Sequence, residues 1–255
     1  MQSALPVSRP SGSQSLTRGL DILRRLVDAG RPMSQTELAE QVGVHQSSVS
    51  RILSALAIAG YVRKLDNRRF EPDFGVITLA SGVTNFPLVR LPRATMLDEA
   101  RRRPGTLITL SILWRGQILY FLRAGDGSDD VEFWGYGFPL HKSAPGMRML
   151  LEFPEPEALE ILRASRARHG WSPGTAATPA NEVEALRRAR KSLDHDILIL
   201  EEWHQGGEFG AATLIDYPAE YPVALSLTGP RSLATDAEVR LWMHEIRRSV
   251  EKSLQ

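Results

Sequence analysis

The sequence predicts a chain of two parts: a small helical domain with a short hairpin, followed by a larger α+β sheet domain. Three observations support this prediction. Apolar residues recur every three or four positions up to about residue 104 and alternate in short runs beyond it. Residues 1–86 hold 10 Lys and Arg against 7 Asp and Glu, whereas the remainder holds 21 against 23. All five tryptophans lie after residue 113.

The overall composition excludes several classes of protein. Of the 255 residues, 42% are hydrophobic and 24% charged, which is typical of a globular chain and not of a disordered or fibrous one. The absence of cysteine excludes disulfides, thiolate metal sites and thiol catalysis. No run approaches the ~20 apolar residues of a membrane span, and the start lacks the apolar core of a secretory signal. We therefore expect a soluble cytoplasmic protein.

The first helix is predicted to follow a flexible tail. Residues 1–14 are rich in Ser, Pro and Gly, which is typical of an unstructured segment. Helical spacing begins at Leu16 and places Leu20, Leu23, Leu26 and Val27 on one apolar stripe. The helix is expected to end at Gly30.

Two further helices follow with a sharp turn between them. Ser34 and Glu37 have the spacing of a capping box, so a helix is expected from there to about Val42. Gly43 suits the turn, because glycine adopts left-handed backbone angles at little cost. A third helix is predicted from about His45 to Ala59.

A basic hairpin completes this domain. Residues 61–65 and 68–71 alternate apolar and basic residues around the turn pair Asp66-Asn67. Three short helices followed by such a hairpin predict a winged helix-turn-helix over residues 15–74.

The exposed residues of this domain favour contacts with DNA. Helix 3 presents hydrogen-bonding side chains and no acid, and such side chains reach phosphates and base edges. The hairpin supplies four cations within seven residues. The candidate DNA-binding residues are Gln35, Thr36, Gln46, Ser47, Ser48, Ser50, Arg51, Arg63, Lys64, Arg68 and Arg69. The alternatives are a protein-interaction module for the three helices and a solvated face for the hairpin.

The remainder of the chain predicts a linker and an α+β domain. Residues 75–103 have helical spacing interrupted by Pro87 and Pro92, which predicts two helices, the first of them a linker helix over 75–91. From residue 92 to 255 we expect one sheet domain with helices between its strands. The strands are predicted at 106–113, 117–123, 131–134, 196–201, 211–216 and 223–228. The helices are predicted at 143–153, 158–166, 181–193 and 235–254.

In order and spacing, these segments resemble the IclR-type transcriptional regulators. SLTRGLDILRRL resembles the opening helix of that family, and TELAEQVGVHQSSVSRILSALAIAGYV resembles its helix-turn-helix. PLHKSAPGMRMLLEF is similar to the loop and helix over its effector pocket, and GAATLID and ALSLTGP are similar to two later segments. The resemblance extends from about Ser15 to Leu254.

The resemblance implies a fold and a function. It implies a C-terminal GAF-like domain that binds a small molecule, dimers through the DNA-binding domains, and often tetramers through the effector domains. Family members are repressors or activators of catabolic operons, not enzymes. A dimer implies a palindromic promoter site on double-stranded DNA. The residues of this chain that match the effector-binding positions of the family are Ser143, Ala144, Phe209, Ser226 and Thr228.

The nature of the effector is inferred from these positions. Ser226 and Thr228 alternate on one strand and so point to one side, and the start of a helix near Ser143 offers N–H groups to an anion. Met147 stands where family members commonly have Lys, and Phe209 where some have Cys, so we expect a more apolar pocket. We expect the effector to be a small carboxylic acid with an aromatic or otherwise apolar body, held without a cation. Alternatively, Ser143 is only an N-cap and the strand hydroxyls are satisfied within the core.

The sequence offers less support for two other functional classes. An enzyme lacks support, because the chain has no H-E-x-x-H, G-x-x-x-x-G-K or G-x-S-x-G motif and His195 and His204 are isolated. We expect no catalytic residue, metal or cofactor. An interaction adaptor with a vestigial helix-turn-helix is disfavoured by Arg51 and the cations of the hairpin.

Overall fold

The computed structural model describes residues 14–125, 127, 135–136, 138–172 and 174–255. These residues divide into two compact units, one ending at Phe86 and the other running from Pro87 to Gln255. Of the predicted tail, only Gln14 belongs to the described residues, and it begins the first helix.

The first unit combines four helices with a small sheet. Its three strands pair antiparallel in the order β1-β3-β2. Its helices are α1 (Gln14–Ala29), α2 (Gln35–Val42), α3 (Gln46–Ile58) and α4 (Gly75–Thr84), and its strands are β1 (Met33–Ser34), β2 (Val62–Lys64) and β3 (Arg69–Pro72).

The face of α1 that packs into the core of this unit differs from the predicted apolar stripe. Ile22, Leu23 and Leu26 are buried, whereas Leu20 and Val27 are 57% and 48% exposed. The stripe is therefore turned by about one residue, because α1 packs its Ile22 face against α2, α3 and the hairpin. An apolar outer face remains on α1.

Helices α2 and α3 lie where the local sequence predicts them, with a capping box at the start of α2 and a glycine turn after it. The Ser34 hydroxyl accepts the Glu37 N–H at 3.2 Å, and the Ser34 N–H donates to the Glu37 carboxylate at 2.6 Å. Hydrogen bonds from Ser34 and Arg31 to the Glu37 carboxylate lower its pKa to about 2. Gly43 adopts a left-handed conformation (φ 68°) and turns the chain towards α3.

The segment after α4 is more broken than predicted. Three helical pieces occupy residues 75–103 where two were expected, and Asn85 and Phe86 interrupt the predicted linker helix. Pro87 begins the second piece and Pro92 precedes the third. Proline lacks an N–H, so it is tolerated where a helix starts and disfavoured within one.

The second unit is a mixed α/β domain around one large sheet. Its described strands pair antiparallel in the order β6-β5-β4-β10-β9-β8-β7. The predicted strand at 131–134 lies outside the described residues. The strands are β4 (Leu107–Trp114), β5 (Gln117–Gly125), β6 (Gly135–Tyr136), β7 (Leu193–Asp194), β8 (Ile197–Glu201), β9 (Glu208–Leu214) and β10 (Val223–Pro230). The helices are α5 (Pro87–Arg90), α6 (Arg93–Arg102), α7 (Ala144–Leu150), α8 (Glu155–His169), α9 (Glu182–Ser192) and α10 (Asp236–Ser253).

Each face of the sheet is covered by its own helices. On one face, α6 and α10 pack against a core that includes Leu225 and Leu227 of β10. On the other face, α7, α8 and α9 pack against a core that includes Ala224. Because side chains alternate along a strand, Ser226 and Thr228 belong to the face covered by α7. This alternation positions the site described below.

Candidate nucleic-acid interface and effector cavity

The starts of α2 and α3 are joined by side-chain hydrogen bonds. The Gln35 amide donates to the backbone carbonyl of Gln46 at 2.8 Å, and the Gln46 amide donates to the Thr36 hydroxyl at 3.2 Å. Three predicted DNA-binding residues therefore form one polar cluster where the two helices meet.

The exposed side of α3 continues from this cluster. Gln46, Ser47 and Arg51 are exposed, and Ser48 and Ser50 are half-buried. Ser47 and Arg51 are four residues apart and so lie on the same side of the helix. Among the residues that the structure describes, Arg51 has no hydrogen-bond or ion-pair partner. Its guanidinium is available to a ligand.

The four cations of the hairpin fall into two pairs. Arg63 faces Glu71 across β2 and β3, and their side chains form an ion pair at 2.5 Å. Arg69 donates to the Pro32 carbonyl at 3.0 Å and lies 3.5 Å from the Glu37 carboxylate. Within the described ranges, Lys64 and Arg68 have no such partners. The partners of Arg69 could not be predicted from local sequence, because Glu37 and Pro32 lie more than 30 residues before it.

Arg68 occupies a strained position at the tip of the hairpin. Its N–H donates to the Leu65 carbonyl at 3.1 Å, and its φ is 60°. This left-handed conformation favours glycine and costs other residues roughly 1–2 kcal/mol. A long cation is thus held at the turn despite a backbone conformation that suits glycine better.

A cavity of about 230 Å³ lies on the α7 face of the large sheet. The structure brings all five residues predicted for effector binding to its lining: Ser143, Ala144, Phe209, Ser226 and Thr228. These residues come from the start of α7 and from strands β9 and β10. The volume lies below the roughly 300–1,000 Å³ of sites for drug-sized ligands, so the cavity suits a small one.

Two pairs of hydroxyl groups line the buried part of the cavity. Thr109 and Ser226 are hydrogen-bonded across β4 and β10 at 2.6 Å. Tyr120 and Ser143 are hydrogen-bonded at 2.8 Å, and burial raises the pKa of Tyr120 well above its usual range. The Thr109–Ser226 pair retains donor and acceptor capacity for a ligand group.

The start of α7 differs from its expected role in anion binding. The Ser143 hydroxyl caps the helix by accepting the Gly146 N–H at 2.9 Å, the Ser143 N–H donates to Leu140, and Pro145 has no N–H. Only the Ala144 N–H remains at this end. The expectation that several backbone donors here hold a carboxylate is wrong, because the helix caps itself.

The role expected for the Phe209 side chain also needs correction. The Phe209 side chain belongs to the core on the opposite face of the sheet and is 1% exposed. Its backbone, and not its aromatic ring, therefore lines the cavity. Its neighbour Gly210 faces the cavity, by the alternation along β9. A Cβ on Gly210 would lie 3.2 Å from the Ala144 Cβ. The start of α7 and strand β9 are therefore in close contact at this pair.

Several lining residues were missed by sequence reasoning. Lys142, Glu208 and Gln205 bring polar groups to the lining, and Phe138 brings an aromatic ring. Lys142 directly precedes Ser143 in the HKSA segment, which was a usable signal for a cation beside the site. His204, judged isolated, also lines the cavity and packs against Phe138 at 5.0 Å. Trp203 also brings an aromatic ring to the lining.

The described residues contain neither a candidate metal site nor a candidate membrane span. No group of three or more His, Asp or Glu side chains among them could hold a metal ion. None of the helices in the described part of the chain is long and apolar enough to cross a bilayer.

The fold and its exposed helix-turn-helix define a DNA-binding transcriptional regulator. Residues 15–66 match the family model of the IclR helix-turn-helix domain. The chain is 25% identical to the transcriptional repressor IclR of Escherichia coli (strain K12) over 240 residues, which cover 89% of this chain and 83% of the repressor. Residues 15–66 thus form an IclR-type helix-turn-helix domain, and relatives that match most of the chain include transcriptional repressors.

Solved structures show the same fold over the whole chain. An IclR-family regulator from Brucella abortus superposes with a TM-score of 0.77 at 20% identity, covering 99% of this chain and 98% of that chain. An IclR homologue from Microbacterium hydrocarbonoxydans, complexed with 4-hydroxybenzoate, superposes with a TM-score of 0.71 at 17% identity. That comparison covers 94% of this chain and 99% of that one.

Proposed function

We propose that this protein is a ligand-responsive regulator of a catabolic operon, and that its effector is a small organic acid. The observation that supports this most directly is the cavity, in which all five matched residues meet. Binding changes DNA affinity only if the ligand has different affinities for the DNA-competent and DNA-incompetent states. The protein acts in the cytoplasm, where its DNA target lies.

The proposed DNA interface has α3 in the major groove. Arg51 and Gln46 contact base edges or orient α3 against them. The DNA backbone is contacted by Ser47, Ser48, Ser50, Gln35 and Thr36. Lys64 and Arg68 contact phosphates or the minor groove, while Arg63 and Arg69 contribute less because Glu71 and Glu37 already offset their charge.

We further propose that the protein binds a palindromic site as a dimer. A single helix-turn-helix reads few base pairs, so specificity requires two of them. The first unit exposes large apolar side chains that a partner copy would bury. They are Leu16, Leu20 and Val27 of α1, and Ile77, Leu79 and Val83 of α4. Tetramers through the second units would follow the family pattern.

The cavity favours a small acid with a flat apolar body. Leu200, Trp203 and Ala144 supply apolar surface, and Ser143, Ser226 and Thr228 supply hydroxyl groups. The ligand of the Microbacterium homologue, 4-hydroxybenzoate, has these properties. We propose an aromatic or similarly apolar acid for this chain.

A titration of DNA binding tests the proposal. Fluorescence anisotropy with palindromic fragments from the region upstream of the gene should show salt-dependent, sequence-specific binding. Adding aromatic acids should then change the affinity of the protein for that fragment. Equal affinity for specific and scrambled fragments would contradict the regulator proposal. A response only to sugars or cations would contradict the effector class.

A further inference from the structure

A single carboxylate joins two helices that cover opposite faces of the large sheet. Asp196 lies in the two-residue turn between β7 and β8, where its φ of 69° is a left-handed conformation that Asp tolerates better than most residues. One of its carboxylate oxygens accepts a hydrogen bond from Arg148 of α7. The other accepts hydrogen bonds from Arg247 of α10 at 2.7 Å and from Thr213 of β9 at 3.0 Å. Asp196 therefore links α7 to α10 beside the strands that lie between them.

The α7 end of this link is buried. The Arg148 side chain is 4% exposed. Its Nε donates to the Asp196 backbone carbonyl at 3.1 Å, and its Nη1 donates to the Glu152 carboxylate at 2.6 Å. A buried guanidinium that loses a carboxylate partner is strongly destabilising, because neither water nor another charge then compensates it. Arg148 is therefore expected to keep its contact with Asp196 when α7 shifts.

The same helix forms part of the effector cavity. Ala144 and Pro145, in the first turn of α7, line the cavity, and Arg148 belongs to the next turn. Helix α7 has only seven residues, so it is about 10 Å long and moves as one piece. A ligand that displaces the first turn of α7 thus also displaces Arg148.

The α10 end of the link leads towards the start of the second unit. Arg247 shares α10 with Glu245, whose carboxylate lies 2.6 Å from the guanidinium of Arg103, the residue that ends α6. The Arg103 side chain is 7% exposed and also pairs with Glu99 of α6. Helix α6 is the second helix after Pro87, where the chain enters this unit. Ion pairs therefore connect α7 to α10, and α10 to a helix near the entry of the chain.

Resting on the effector role proposed above, we propose that Asp196 is a positioning residue for the response to effector. It passes a shift of α7 at the cavity to α10 and, through Glu245 and Arg103, to α6. Among the described residues, Asp196 belongs neither to the DNA-binding unit nor to the lining of the cavity. Its loss should therefore separate effector binding from the change in DNA affinity that the effector causes.

Unfolding experiments test the link without any effector. Arg148→Met and Arg247→Met each remove one partner of Asp196, on helices that cover opposite faces of the sheet. Their effects on the unfolding equilibrium constant, measured by urea titration, should depart from additivity by about fivefold or more in the parent. In the Asp196→Asn background the departure should fall to about twofold or less. Additive effects in the parent would overturn the link.

A milder substitution is used where Arg148→Met does not fold. Arg148→Lys keeps the buried positive charge but cannot form the same set of directed hydrogen bonds. The same departure from additivity with Arg247→Met is expected, and the same additive result would overturn the link.

DNA binding with and without effector tests the regulatory role. The probe is 4-hydroxybenzoate, the ligand of the Microbacterium homologue, and anisotropy measures affinity for the palindromic fragment. The factor by which the probe changes DNA affinity should fall to within about twofold of one in Asp196→Asn and in Arg247→Met. The affinities of these variants for the probe alone and for DNA alone should stay within about threefold of those of the parent.

Asp194→Asn is the matched control. Asp194 lies on the same hairpin and pairs with Arg240 of α10, and no described contact joins it to α7, so this variant should keep the factor of the parent. A parent-like factor in Asp196→Asn would overturn the proposal and leave the effector role intact. Loss of probe binding in Asp196→Asn would also overturn it, because Asp196 would then shape the cavity itself. If neither the probe nor other aromatic acids change the DNA affinity of the parent, the effector role fails and this proposal fails with it, whatever the unfolding experiments show.

Discussion

Arg63 and Glu71 face each other across the hairpin, with 2.5 Å between guanidinium and carboxylate. This pair divides the basic hairpin into cations that are already paired and cations that are available to DNA. Four positive charges in the sequence therefore do not amount to four equivalent phosphate contacts.

The salt dependence of DNA binding should reveal this division. Replacing Lys64 and Arg68 together with Met should lower specific and non-specific affinity and flatten the slope of log K against log salt by about 2. Replacing Arg63 and Arg69 should flatten it less, because Glu71 and Glu37 offset their charges. Anisotropy titrations at several salt concentrations measure both slopes. The division would be refuted by equal changes in the two double variants.

Two substitutions of Arg68 should have the same effect on DNA binding but different effects on stability. Arg68→Gly and Arg68→Ala both remove the cation and should weaken DNA binding equally. Arg68→Gly relieves the positive φ (60°), so it should be more stable than Arg68→Ala by about 1 kcal/mol. Urea unfolding of both variants gives the difference. Equal stabilities would show that the backbone at this turn is not strained.

The capping box of α2 predicts a pH dependence of stability. Bonds to Ser34 lower the pKa of Glu37 to about 2 in the folded state, from an ordinary value of 4.5. Its contribution to stability is therefore complete above the unfolded pKa and is lost as the pH falls from about 4.5 to about 2. Glu37→Gln should be less stable than the parent at neutral pH and approach it in acid, as measured by thermal unfolding monitored by circular dichroism. A difference that stays constant down to pH 2 would contradict this assignment.

The close approach of Gly210 and Ala144 predicts a loss of stability and its rescue. Gly210→Ala should lower the free energy of unfolding by about 1–3 kcal/mol, because its Cβ would stand 3.2 Å from the Ala144 Cβ and α7 would have to shift. Adding Ala144→Gly should restore part of that stability by removing the opposing Cβ. Urea unfolding measures both variants, and anisotropy without effector serves as the control for DNA binding. A single variant as stable as the parent would show that α7 moves away from β9 without cost.

The exposed apolar side chains of α1 and α4 predict an interface. Leu20→Glu with Leu79→Glu should convert a dimer into a monomer at micromolar concentration and weaken binding to a palindromic fragment. Ile58→Glu is the control, since Ile58 is 89% exposed on a different helix. Light scattering with and without DNA gives the mass. A monomeric parent under both conditions would exclude the proposed dimer.

Local sequence determined the features that depend on near neighbours. The capping box of Ser34 and Glu37, the turn at Gly43 and the common face of Ser226 and Thr228 follow from spacings of a few residues. Such features are set by helix caps, backbone angles and strand alternation, which act between residues close in the chain. The order of the segments likewise indicated the IclR-type fold.

Only the tertiary structure decided which distant residues meet. Strand order brings Thr109 to Ser226, and packing brings Arg69 to Glu37 and turns α1 to bury Ile22 instead of Leu20. The face on which Phe209 lies depends on where β9 begins, since a shift of one residue reverses every side chain of a strand. Lys142 and Glu208 were visible in the sequence, but their presence in one cavity depends on how α7 packs over the sheet.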